Sequence, residues 1–457
     1  MRLPMLAALI GGACAGWAQS QSQSQSSARP PVTSSTQNQT ASMQRPATLP
    51  EQMPIQGRIR APSKNAIASV TSHPTSSRAR LAERRDWQGI RAQAWGTLDG
   101  GTVVERVTLA NRRGMRVAYI DYGATLVALE VPDRHGARAN VLLSLPDLAS
   151  YMRTSRRFGA VMGRYAGRIG AARFTLDGRV VQLVPNKNGY ALHGDPNGYD
   201  RRLWTRRDFA DAASIGSIFR LDSPDGDQQF PGRLQVSVTY RLLRDRNEFR
   251  IEYDASTDAP TVLNLTNHAY FNLAGAGSAG LSTHRFRIWA DRYAETDAHR
   301  LPSGRLPTVT GTALDFRRPA SMSERLAASS SALLGAPPAF DHSLLFAKRD
   351  GAYGLVARID EPGSGRRMEI RSSEPSVQLN SGNGFDGGEI GSEGRAYQRG
   401  DGFAFETQHL PDSPNQAAFP STELRPGQRF HSVTSYRFSL IGARTTASIP
   451  SPVTASR

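Results

Sequence analysis

The sequence predicts an all-β fold, a large antiparallel β-sandwich. Three observations predict it. Apolar residues recur at a two-residue period in many short runs, Gly and Asp-Gly turns separate those runs, and helical periodicity is scarce. Such runs bury one face each, and sheets packed face to face are the fold that accommodates them. No internal repeat is visible, which argues against a propeller.

Met1-Arg2, the apolar run Leu3 to Ala15 and the small residues around Ala18 read as a secretion signal over 1–18. The run is too short to span a bilayer and no later stretch is long and apolar enough, so an exported protein, periplasmic or extracellular and without a transmembrane segment, is expected. Cys14 is the only cysteine and lies within the signal, which leaves the mature chain no disulfide or thiolate chemistry. A lipid anchor at Cys14 would want Leu where Gly11 stands. Residues 19–86 are Ser/Gln/Pro-rich and basic, and they bury too little apolar surface to offset the entropy of ordering, so a disordered linker is expected. Up to Arg85 there are ten Arg or Lys against two Glu, so +8 of the chain's +16 lies in that leader. The rest carries no basic stripe interleaved with aromatics, which makes nucleic acid a poor partner.

The β-domain is expected over 87–443, with a flexible tail at 444–457. Val127, Leu129 and Val131 alternate with Leu126, Ala128 and Glu130 before a turn at Pro132 to Gly136. Phe174 to Leu176 and Val180 to Val184 flank Asp177-Gly178, a strong hairpin signal. Leu234, Val236, Val238, Tyr240 and Leu242 alternate with polar residues, and the chain returns through Phe249, Ile251 and Tyr253 as a long antiparallel hairpin. Ser321 to Leu334 fits a short helix or an Ala/Ser-rich loop.

The stretch Asn264 to Leu273 stands apart. One face of a strand there would carry Leu263, Leu265, Ala269, Phe271 and Leu273, with Asn267 as the one polar exception. The other would carry Asn264, Thr266, His268, Tyr270 and Asn272, all hydrogen-bonding and none fully charged. That face suits a wet concave surface gripping a polyhydroxylated ligand; a core strand with a structural His fits the same text. Near the end, Phe403 and Phe405 would point one way and Ala404 and Glu406 the other, placing Glu406 at a strand end. A carboxylate facing the same cleft as an imidazole makes a general-base and general-acid pair, although Glu406 by itself reads more readily as a surface carboxylate.

Eight motifs then occur in one order: GRYAGRI at Gly163 to Ile169, LHG at Leu192 to Gly194, SPDGDQQFPG at Ser223 to Gly232, NLTNHAYFNLAG at Asn264 to Gly275, FDH at Phe340 to His342, EPSVQLNSGN at Glu374 to Asn383, ETQHLPDSPN at Glu406 to Asn415 and FPSTELRPG at Phe419 to Gly427. On these motifs, from Trp95 to Phe438, the chain resembles the aldose 1-epimerase (galactose mutarotase) family. The resemblance implies that family's β-supersandwich and the interconversion of the α and β anomers of free hexoses such as glucose and galactose. It implies Glu406 as the base at the anomeric hydroxyl and His268 as the acid at the ring oxygen, with Arg168, His193, Asp341 and Gln378 binding the sugar. No cofactor is implied, since opening a hemiacetal needs one acid and one base.

Two positions depart from the family's pattern: Gly167 replaces the usual Asn, and Asp195 replaces the usual second Gly after His193. Both bear on sugar preference more than on the reaction. The stretch Arg317 to Pro338 also exceeds what the family core needs. No His pair has the short spacing of a zinc site, so no metal is expected, and no G-x-S-x-G elbow supports a serine nucleophile. The competing classes are a carbohydrate-binding protein without turnover, and an epimerase for a modified, phosphorylated or oligomeric sugar; phosphate would call for extra Arg or Lys at the cleft.

Overall fold

The long hairpin forms as its alternation predicts, Leu234–Leu243 pairing antiparallel with Glu248–Thr257, and it becomes the middle of an eight-stranded sheet. The computed structural model describes residues 89–443, apart from 328–332 and 336. The expected signal at 1–18 with Cys14, the linker at 19–86, the first two residues of the expected domain and the tail at 444–457 lie outside the described residues.

In the large sheet the strands run in the order Thr205–Ala210, Ser214–Ser223, Leu234–Leu243, Glu248–Thr257, Phe430–Leu440, Arg366–Ser372, Gly354–Glu361 and Arg285–Ile288, every pair antiparallel. One five-stranded sheet comprises Ile90–Thr97, Val103–Ala110, Arg116–Ile120, Thr125–Pro132 and Arg138–Asn140. A second is ordered Tyr270–Phe271, Phe403–Gln408, Ser376–Asn380, Asp341–Phe346 and Ala290–Tyr293. Side chains from all three form one apolar core. Tyr119 meets Phe219 and Tyr240 at ring separations of 5.5 and 5.3 Å. Phe271 meets Tyr436 at 5.2 Å, and Phe403 meets Phe286 at 4.9 Å. The two shorter sheets therefore close over the long one, which is the expected sandwich, and each aromatic so buried stabilises it by about 2 kcal/mol.

Asp177 (φ 49°) and Gly178 (φ 74°) turn the chain between Arg173–Leu176 and Arg179–Gln182, the two left-handed residues that a primed hairpin turn needs. Of the ambiguous Ser321 to Leu334, residues Met322–Ala327 are helical. Ser321 Oγ accepts from the Glu324 N–H at 3.1 Å, while Glu324 Oε2 accepts from the Ser321 N–H at 2.9 Å, a capping box legible as Ser-x-x-Glu. The described part of 317–338 also gathers charge, since Arg317, Arg318 and Arg325 share a recess with Arg287 and Asp315.

Two expectations need correcting. The strand Thr125–Pro132 does not keep the alternation of Val127, Leu129 and Val131 against Leu126, Ala128 and Glu130: Leu126, Leu129 and Val131 enter the main core, while Val127 and Ala128 are covered by a second cluster containing Phe158 and Tyr270. Its partner strand slips register between Ala118 and Tyr119, so strict alternation fails there. Nor is Asn264 to Leu273 one strand with a wet face. It breaks into the pairs Thr266–Asn267 and Tyr270–Phe271, which join different sheets, and every residue in it is buried. Its amides and hydroxyl hold backbone carbonyls. Asn264 Nδ2 donates to Ala166 and His409, Thr266 Oγ1 to Thr407, Asn267 Nδ2 to Gly159, and Asn272 Nδ2 to Asp401. Satisfying carbonyls that strands leave unpaired is what buried amides do without burying a charge.

Arg164 explains why two separate motifs sit together. Its fully buried guanidinium donates to the carbonyls of Ser223, Pro224, Pro231 and Gly232 and to Ser223 Oγ, pinning SPDGDQQFPG beneath GRYAGRI. Arg164→Met orphans those acceptors and is expected to cost about 3 kcal/mol in denaturant unfolding. A loss under about 1 kcal/mol would mean that the loop is held by other contacts.

Candidate active site

Strand alternation assembles half of the site. Phe403 and Phe405 point into the core, so Ala404 and Glu406 face the other way. The register places Gln378 opposite Glu406, Ser343 opposite Gln378, and Asn380 opposite Asp341. Glu406 is not at the strand end, as expected from the sequence, because the strand Phe403–Gln408 runs two residues past it. This position buries the carboxylate more completely than a loop edge would.

The other half comes from irregular chain. His268 lies between the two short strand pairs and is held by its main chain: its N–H donates to the Ala160 carbonyl and its carbonyl accepts from the Gly159 N–H, each at 2.9 Å. Arg168 and Leu192 are partners in a two-stranded ladder, and His193 follows in a left-handed conformation (φ 54°). Gly194 (φ 83°) lies so close to Gly163 that a Cβ there would stand 2.2 Å from its carbonyl oxygen, so only glycine can follow His193.

All six residues singled out in the sequence meet. His268 Nε2 lies 3.5 Å from Glu406 Oε1, with both side chains buried. The His193 and His268 rings meet edge-on at 5.6 Å. Asp341 Oδ1 accepts from Gln378 Nε2 at 2.7 Å and from Asn380 Nδ2 at 3.3 Å, while its Oδ2 faces Arg168 Nη2 at 3.8 Å. Ser343 Oγ donates to Gln378 Oε1 at 2.5 Å, fixing that amide's orientation. Arg168 also lies over the Tyr190 ring at 5.5 Å.

The Gly167 departure acts through backbone. Its N–H donates to His193 Nδ1 at 3.2 Å and its carbonyl accepts from the His193 N–H at 3.1 Å. With Nδ1 accepting, the neutral His193 imidazole carries its proton on Nε2. A Cβ on Gly167 would meet Gln408 Nε2 at 3.2 Å and Pro411 at 3.4 Å, so the loop is packed tightly against the strand that bears Glu406.

Burial inverts the usual order of proton affinities. Burial first, then the Asp341 carboxylate, pushes the Glu406 carboxyl up to about 8, against the pull of Arg168 and Arg157. Burial first, then the Arg157 guanidinium, holds the His268 imidazole down at about 4. His193 is held well below its usual range by burial, then by Arg157 and His268. Glu406 Oε2 and His268 Nδ1 have no protein partner, so both groups keep capacity for a ligand.

Nothing along the chain singles out Arg157. It follows Arg156 ahead of Phe158-Gly159, which reads as a charged turn. Folded, it acts on His193, His268 and Glu406 together, and its Nη2 donates to Asp195 Oδ2 at 2.5 Å. His193, His268 and Glu406 bring ligating atoms within 4.8 Å of one another, the one such convergence among the described residues and the place where a cation could be held. A carboxyl that burial keeps protonated near neutral pH is a weak anchor for one, and the same three groups are better disposed to pass a proton.

The aldose 1-epimerase family profile matches residues 105–437. A galactose mutarotase from Rattus norvegicus is 39% identical over 341 residues, covering 75% of this chain and 96% of the relative. An aldose 1-epimerase from Escherichia coli K12 is 36% identical over 335 residues, covering 73% and 94%. Among solved structures, an aldose epimerase homologue from C. elegans superposes with a TM-score of 0.66 at 30% identity over 73% of this chain and 98% of that one. A galactose 1-epimerase from Lactobacillus acidophilus gives 0.67 at 26% identity over 77% and 98%. The fold, the ordered motifs and these matches agree: the chain belongs to the aldose 1-epimerase family.

Proposed function

We propose that Glu406 and His268 are the acid–base pair with which this chain, as an aldose 1-epimerase, interconverts the α and β anomers of free hexoses such as glucose and galactose. The observation that carries this reading is the 3.5 Å approach of a buried carboxyl and a buried imidazole, each with an unpartnered atom. The two oxygens on an anomeric carbon lie closer together than that, so one hemiacetal can touch both groups at once. Glu406 takes the proton from the anomeric hydroxyl as His268 gives one to the ring oxygen. The ring C–O bond breaks and the aldehyde forms. Rotation about the bond between the first two carbons presents the other face, and the same two protons travel back as the ring recloses.

The ring form thus reacts through the less populated arrangement of the shared proton, ionised Glu406 with protonated His268, and the open aldehyde meets the reverse. Both states hold one proton on the pair, which is the count expected between about pH 4 and about pH 8. The kcat/KM profile should be a bell with limbs near those values, read by polarimetry of freshly dissolved α-D-glucose and α-D-galactose. A rate that climbs without limit above pH 9 would mean that Glu406 is not the titrating base. Chelation with EDTA should leave the rate unchanged; a loss restored by a divalent cation would assign the three convergent groups to metal instead.

Arg168, His193, Asp341 and Gln378 are assigned to the sugar hydroxyls, a role supported by their placement around the pair. A phosphorylated substrate calls for a free extra cation. The extra cation in the cleft, Arg157, is already paired with Asp195, which supports a neutral sugar. Export to the periplasm or outside the cell is supported by the 1–18 signal pattern. Finding Met1 at the N-terminus of the protein recovered from its host would refute it.

A further inference from the structure

We propose that Arg157 and Asp195 are positioning residues: their ion pair straps the loop that carries His193 to the turn that holds the His268 main chain, and keeps a guanidinium beside the acid–base pair. This rests on the epimerase reading and extends it to two residues outside the six already assigned.

The geometry is that of a closed circuit. Asp195 stands two residues after His193, and its N–H donates to the Leu192 carbonyl at 2.9 Å, so the carboxylate rides on the short turn that sets His193. Arg157 stands two residues before Gly159. The turn from Arg157 closes by the Ala160 N–H donating to the Arg157 carbonyl at 3.2 Å, and its Gly159 and Ala160 are the two residues that hold the His268 main chain. The Arg157–Asp195 contact, 2.5 Å between Nη2 and Oδ2, joins these two turns across the site. Arg157 Nη1 also donates to the Ser155 carbonyl at 3.1 Å, and its side chain is only 15% exposed, so the guanidinium is fixed. Arg157 is itself left-handed (φ 58°), a conformation that a non-glycine residue keeps only when its surroundings impose it.

The strap has two separable effects. Mechanically, it sets the approach of the two imidazoles, and a displacement of even an ångström between acid and base lowers turnover severely. Electrostatically, the guanidinium disfavours positive charge on His193 and His268 and favours negative charge on Glu406, while the Asp195 carboxylate partly cancels it. Other charged groups facing the pair are Arg168 and Asp341, and Asp200 lies near Arg157 and Asp195. Arg168 and Asp341 belong to neither half of the strap, and Asp200 responds to its two halves in opposite senses.

The two halves of the pair therefore predict opposite displacements. In Arg157→Met the guanidinium is gone, proton affinity rises at His268 and Glu406, and both limbs of the pH–rate profile should move to higher pH by about half a unit. In Asp195→Asn the guanidinium acts unopposed and both limbs should move to lower pH. Each variant should lose about tenfold in kcat with less change in KM, and Arg157→Lys should recover most of the loss. Imidazole NMR titration of ring-labelled His268 in the same folded variants, checked by circular dichroism, reads the same displacements without turnover. Opposite shifts would establish the strap. Unchanged profiles, or shifts of the same sign in both variants, would overturn it. If wild type turns over neither sugar, the epimerase reading fails, while the NMR shifts still decide the strap.

Discussion

Replacing Glu406 with Gln is expected to lower kcat/KM by about three orders of magnitude and, at the same time, to stabilise the fold at neutral pH. The first effect follows from removing the proton acceptor while keeping its shape. The second follows from the raised proton affinity of the buried carboxyl. Between its ordinary value of 4.5 and about 8 the folded chain holds this proton while the unfolded chain has released it. Stability therefore falls as pH rises through that window. Gln carries no such linkage, so the variant should gain on the order of 3 kcal/mol at pH 7, and nothing below pH 4.5. Thermal unfolding of both proteins across pH 4 to 9 measures this. A variant less stable than wild type at pH 7 would mean that Glu406 is ionised in the folded site.

His268→Asn should cost two to three orders of magnitude in kcat, because the ring oxygen must then leave without a proton donor, and KM should change little. Its stability signature has the opposite sign to that of Glu406. The folded imidazole is held at about 4 against an ordinary 6.5, so the unfolded chain binds the extra proton between those values. That contribution to stability is present above pH 6.5 and is lost as pH falls towards 4, a loss that the Asn variant escapes. A polarimetric rate within tenfold of wild type would leave the reaction standing and transfer the acid's role, with His193, whose ring lies 5.6 Å away, as the next group to test.

How much of this was legible in the sequence follows the range of the interactions concerned. Period-two alternation is local, so the hairpin at Leu234–Leu243 and the Asp177-Gly178 turn were readable from neighbours along the chain. The same alternation told which way Glu406 faces, and the ordered motifs named all six residues that the fold brings together. Alternation failed where the second face of a strand is covered by distant chain, as at Thr125–Pro132, because a residue's neighbours in sequence do not reveal what packs above it. It failed again at Asn264 to Leu273, where amides that suggested a wet cleft bond to carbonyls of Ala166, Gly159 and Asp401.

Local pattern and ordered motifs suffice for the sheet-rich class, the family and the identities of the proposed acid and base. Their chemistry is set by the folded arrangement alone. The affinities of Glu406 and His268 for a proton depend on burial and on charges from Asp341 and Arg157, which stand 65 and 111 residues away along the chain. Desolvation and Coulomb interaction act through space, so no local pattern could have disclosed them. The pairing of Arg157 with Asp195 belongs to the same category, two charges that mean nothing until the fold sets them against each other.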